Sequence, residues 1–134
     1  MNNAPTQLLN RCVTDAFAGS MTFLETVQHM SSIGVRWYSA NLHFGMKTHY
    51  FEGGQTHQVK WPEWTPISQY LAFNETAVVA AIRAIQRGEI IYPEFLRQIR
   101  DAGTVVYTVH LKGRKAIYFG ADGDFHVEHF PNPV

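Results

Sequence analysis

Ile33-Gly34-Val35-Arg36-Trp37-Tyr38 and Ala102-Gly103-Thr104-Val105-Val106-Tyr107 stand 69 positions apart (103 minus 34), and in each a glycine closes a helical pattern and opens an aromatic strand pattern. The same shift pairs Gly19 with Gly88, Glu25 with Glu94, Leu42 with Leu111, His57 with His126 and Pro62 with Pro131. Tyr50 and Phe51 match Tyr118 and Phe119 at a shift of 68, a one-residue slip confined to the glycine-marked turns. A slip inside a strand would turn every side chain to the other face, so copies of one fold tolerate it only in turns. The chain therefore reads as an α+β fold built by internal duplication of an α-α-β-β-β unit about a pseudo-twofold axis. Residues 8–59 and 77–128 form the repeats, and an antiparallel sheet carries the helices on one face.

Each repeat opens with a helix. Leu8, Leu9, Cys12, Val13 and Ala16 recur at helical spacing up to Gly19, and Val78, Val79, Ile82 and Ile85 do so after a capping Asn74 up to Gly88. The second helix begins with Thr22 and Glu25, the spacing of a capping box, and its counterpart with Pro93 in the first turn. Gly34 and Gly103 end these helices in the left-handed conformation that glycine adopts without strain. Tyr107, Val109 and Leu111 then alternate with Thr108 and His110, followed by strands over 116–119 and 125–130. Between the repeats, 60–73 is rich in proline and aromatics, with Trp61, Pro62, Trp64, Pro66, Tyr70 and Phe73. So much apolar surface is costly in water and predicts a packed crossover.

At 134 residues the chain suits one domain over 1–134, whereas a half of about 65 residues is marginal alone. Apolar residues at 46% supply the core, and a net charge of zero removes the electrostatic reason to propose nucleic acid. The only cysteine, Cys12, excludes an internal disulfide and reads as a buried thiol. No basic segment followed by an apolar run opens the chain, and no stretch has the length and apolarity to span a bilayer. A cytoplasmic protein without membrane attachment is expected.

Tyr92-Pro93-Glu94-Phe95-Leu96, the helix end Asp101-Ala102-Gly103, and the run from Ala116 through Ile117-Tyr118-Phe119-Gly120-Ala121-Asp122-Gly123-Asp124-Phe125-His126-Val127 to Glu128 resemble the YbcV-like family of small bacterial and prophage proteins. The resemblance spans nearly the full length. The first half departs from it, with Glu52-Gly53-Gly54-Gln55 where the second has Gly120-Ala121-Asp122-Gly123. What it implies is a protein of unknown function, in a family where some members are labelled phage envelope proteins.

The chemistry must be read from residues. His126 and His129, three apart on a strand, point to opposite faces and cannot share one ion in regular geometry. His126 and Glu128 share a face, and His57 would meet them if the twofold axis joined the third strands, giving a ligand set of the kind zinc or iron accepts. Alternation sets His126 opposite Phe125 and Val127, hence outward on a solvated face. Tyr38 with Tyr107, and Tyr50 with Tyr118, are candidates to line a symmetric ligand cleft or to sit at the core boundary. Asp122-Gly123-Asp124 is a hairpin turn without the further acids of a calcium loop. No serine elbow and no glycine-rich phosphate loop is present. The leading expectation is a non-catalytic binding or regulatory module, of bacterial or prophage origin, without cofactor or metal. Its partner is a protein or small molecule, or a second copy in a homodimer. The alternative is a metal-dependent or histidine-based enzyme at the cleft between repeats.

Overall fold

The structure, a computed structural model, describes residues 4–131. Two helices, α1 (Ala4–Phe17) and α2 (Phe23–Ser32), precede three strands, β1 (Val35–Asn41), β2 (Met46–Phe51) and β3 (Thr56–Lys60). The order then recurs as α3 (Glu75–Gln86), α4 (Tyr92–Asp101), β4 (Thr104–His110), β5 (Lys115–Gly120) and β6 (Phe125–His129). Local chemistry explains the helix bounds. Thr22 Oγ1 accepts from Glu25 N at 3.2 Å while Thr22 N donates to Glu25 Oε1 at 2.9 Å, a complete capping box. Asn74 accepts from Ala77 N at the start of α3, and a proline occupies the first turn of α4. Gly34 (φ 86) and Gly103 (φ 94) are left-handed where α2 and α4 give way to strands.

All six strands form one antiparallel sheet in the order β3-β2-β1-β4-β5-β6. The two halves meet at the β1–β4 ladder, which leaves β3 and β6 as opposite edges. Alternation then divides the side chains between two faces. On one face lie Tyr38, Ala40, Lys47, His49, Val59, Tyr107, Val109 and Tyr118, all buried. The helices cover this face, and Leu9, Met30, Val78, Leu96 and Ile99 complete the core. No helix covers the other face among the described residues. The crossover packs only in part: Trp61 is buried, Trp64, Ile67 and Phe73 are half-buried against the core, and Trp64 Nε1 donates to the Leu42 carbonyl at 2.6 Å, but Tyr70 and Leu71 are exposed.

Corresponding strand bounds differ by 69 in all three pairs, Val35 with Thr104, Met46 with Lys115 and Thr56 with Phe125. This corrects the expected one-residue slip. His49 stands opposite Tyr38 as Tyr118 stands opposite Tyr107, so the positional counterpart of Tyr118 is His49, and that of Tyr50 is Phe119. Tyr50 and Tyr118 consequently point to opposite faces of the sheet.

Candidate functional site

Of the tyrosines expected to line a cleft, Tyr38, Tyr107 and Tyr118 are packed in the interior, whereas Tyr50 lies on the other face of the sheet. Tyr38 and Tyr107 are 1% and 3% exposed, Tyr107 stacks on Tyr118 at 5.1 Å, and the Tyr92 and Tyr107 hydroxyls are hydrogen bonded to each other. Burial raises the pKa of all four phenols. Beside them is a residue that no pattern in the sequence singles out. Lys47 is 2% exposed, and its Nζ lies 4.7 Å from both the Tyr38 and Tyr92 ring centroids. Among the described residues it forms no ion pair, so two aromatic faces replace its water, and burial lowers its pKa to about 8. His49, fully buried next to it, is pushed down to about 3 by burial and then by the Lys47 charge. Its Nδ1 donates to the His57 carbonyl at 3.1 Å, and its Nε2 has no partner among the described residues. A lysine of lowered pKa is a nucleophile in chemical terms, but this one is buried, with Tyr92 of α4 over its ammonium and Cys12 of α1 nearby.

His57 and His126 do not converge. They lie on the two edge strands, five strand spacings apart, about 24 Å at 4.8 Å per spacing. Both turn toward the helices. His57 Nε2 is 2.9 Å from Asn10 Oδ1 on α1. His126, expected on the open side, has Nδ1 2.7 Å from Glu75 Oε2 on α3 and Nε2 3.2 Å from Glu128 Oε1. Arg83 closes this cluster with a bond to Glu128 Oε2 at 2.7 Å. Burial pushes the Glu128 carboxyl up, and Arg83 and His126 outweigh it to leave the pKa below the usual carboxylate range. The His126–Glu128 pairing is thus present and His57 is excluded from it. Among the described residues no group of three or more His, Cys, Asp or Glu side chains is arranged to hold a metal ion.

The open face carries a different kind of surface. The ladders align its side chains in three rows across the six strands. One runs Phe125, Phe119, Val106, Asn41, Met46, Lys60; the next Val127, Ile117, Thr108, Ser39, Thr48, Gln58; the third His129, Lys115, His110, Trp37, Tyr50, Thr56. None of these residues is acidic, although the chain has 11 acidic and 11 basic residues. In the third row the rings form a column: Trp37 stacks on Tyr50 at 3.9 Å with planes 4° apart, and His110 stacks on the other side of Trp37 at 5.7 Å. Thr108 Oγ1 holds His110 Nε2 at 2.9 Å. Burial, and then Lys115, lowers the His110 pKa, which favours the neutral imidazole in the stack. Of the expected site residues only Tyr50 belongs here. Strand alternation around Tyr107 and Tyr38 was the signal that could have grouped the rest.

Residues 20–129 match the family described as "Protein of unknown function (DUF1398)". The chain is also similar to the uncharacterized protein Rv2012 of Mycobacterium tuberculosis and the uncharacterized protein Mb2035 of Mycobacterium bovis. Each is 36% identical over 64 residues, which cover 48% of this chain and 39% of the relative. The chain therefore spans less than half the length of the curated relatives it matches. Neither the YbcV-like name nor the phage envelope label appears in these descriptions.

Proposed function

The chain belongs to the DUF1398 family, whose description assigns no activity, and we infer that it is a non-catalytic binding module whose binding surface is the open face of the sheet. The observation that carries this reading is the ring column of His110, Trp37 and Tyr50 on a face without carboxylates, left uncovered by every described helix. Aromatic groups at such a position favour ligand or partner contact, since they bring large area at low entropic cost. The histidine enzyme loses its geometric basis with His57 and His126 on opposite edges. In this reading the two halves are copies of one unit within a single domain, and the module works in the cytoplasm. No helix among the described residues is long and apolar enough to cross a membrane.

The test is a fragment screen followed by amide chemical shifts. Perturbations clustering on Trp37, Tyr50, Thr108 and Ile117 are expected. Clustering instead at the small cleft of Trp64, Pro93, Arg97 and Arg100 would refute the assignment of the face.

A further inference from the structure

The whole chain is neutral, but the sheet sorts its charges. Every carboxylate is excluded from the three open-face rows, whereas Lys60 and Lys115 lie in them, one near each edge of the sheet. Among the described residues neither lysine forms an ion pair, so both ammonium groups are available to an anion. At the end of the face beyond the ring column, Arg36 and Lys112 share one carboxylate, Glu52, at 3.1 and 3.2 Å, which leaves that corner positive as well. The ring column ends at Tyr50, whose neighbour on the far side is the small, exposed Thr56. A flat ring arriving there would extend the existing stack of three. The middle row adds the hydroxyls of Thr108, Ser39 and Thr48, donors and acceptors spaced one strand apart.

We propose that the open sheet face binds single-stranded nucleic acid, with a base stacked on the Tyr50 end of the ring column and phosphates at Lys115 and Lys60. This rests on the open face being the binding surface. Three features of the face match the requirements of such a ligand: aromatic stacking that every base can satisfy, cations for the backbone, and no carboxylate to repel it. Duplex fits poorly, because its bases are stacked on each other and out of reach of Tyr50. A second copy of the chain fits less well too, since it would set Lys60 and Lys115 against a face that offers no acid in return.

Fluorescence anisotropy of the full chain with labelled RNA and DNA single strands of about twelve nucleotides, within the usual range of site sizes, tests this directly at low salt. Saturable binding that weakens as salt rises is expected, with the corresponding duplex at least about tenfold weaker. Tyr50→Ala should weaken binding about tenfold, the loss typical of one stacked base, and Lys115→Glu by at least as much. Both positions are surface-facing, and thermal unfolding of each variant confirms the fold. Failure of the folded protein to bind either strand, or binding unchanged in both variants, overturns the proposal. If strands fail while fragments still map to Trp37 and Tyr50, the ligand class is wrong and the binding face stands. If light scattering reports a dimer that Phe125→Asp dissociates, a second copy occupies the face and the nucleic-acid proposal falls.

Discussion

Lys47 shows at the scale of one residue what the fold tolerates. Burying an ammonium without a carboxylate costs free energy that two tyrosine faces recover only in part. Its folded pKa, about 8, lies below the ordinary 10.5. Between those values the unfolded chain binds more protons, so the destabilisation is complete below pH 8 and fades as pH rises. The buried phenols, with raised pKa, act in the opposite sense once unfolded tyrosines ionise near pH 10. Urea denaturation across pH should therefore show stability climbing from pH 8 toward 10. Lys47→Met should abolish that climb and raise stability at pH 7 by about 1 to 3 kcal/mol. Nothing in the sequence marked this lysine, because alternation on β2 is legible only once the slip at Tyr50 is resolved. The helix-ending glycines were legible, but not their difference. A Cβ on Gly103 would lie 2.5 Å from the Ala72 carbonyl oxygen, while one on Gly34 meets nothing within 4 Å. Gly34→Ala should cost about 1 kcal/mol from backbone strain alone. Gly103→Ala should cost more than about 2 kcal/mol, since backbone must move as well, and chemical denaturation of the pair measures the gap.

At the scale of elements, helix ends were read from side-chain chemistry and survive intact. Thr22→Ala removes the side-chain half of the capping box, the bond accepted by Oγ1 from Glu25 N, while the backbone N–H of residue 22 can still donate to Glu25. It should lower stability by about 1 kcal/mol, checked by denaturation. Strand β6 was misread for a physical reason. A strand in mid-sheet turns its apolar side to the helices, and that rule set Phe125 and Val127 inward. At this edge the covering element is α3, which presents Glu75 and Arg83, so His126 and Glu128 face it instead and Phe125 is left 59% exposed. His126 therefore has more to lose than a surface histidine. His126→Ala should cost about 1 kcal/mol or more by stripping hydrogen bonds from two carboxylates. Amide exchange should quicken along β6, whereas His57→Ala, with a single bond to Asn10, should leave β3 protected to within a few-fold. Equal effects of the two substitutions would contradict the role assigned to the Glu75, Glu128 and Arg83 cluster.

For the whole molecule, the spacing of 69 between Gly34 and Gly103 carried the order of elements, but it could not say which strands meet. The two halves join through β1 and β4, where Trp37 to Asn41 pair with His110 to Val106, and this central ladder sends the third strands to opposite edges. Symmetry alone allowed His57 and His126 to meet there or to part, and ladder registry decided it. The seam also places one core across both halves: Tyr38 contacts Tyr107 at 6.3 Å, and Leu42 N donates to the Val105 carbonyl as Leu111 N donates to that of Arg36. Either half by itself would expose β1 or β4 as an unpaired edge and open Tyr38 or Tyr107 to water, a loss that a unit of about 65 residues has little stability to absorb. Fragments 1–72 and 73–134, prepared separately, should each lack a cooperative thermal transition by circular dichroism. Mixed in equal amounts they should recover one, because the β1–β4 ladder and its flanking tyrosines can re-form between chains. Cooperative unfolding of either fragment as a monomer would show that its core closes without the other half, and the single-domain reading would give way to two independent repeats.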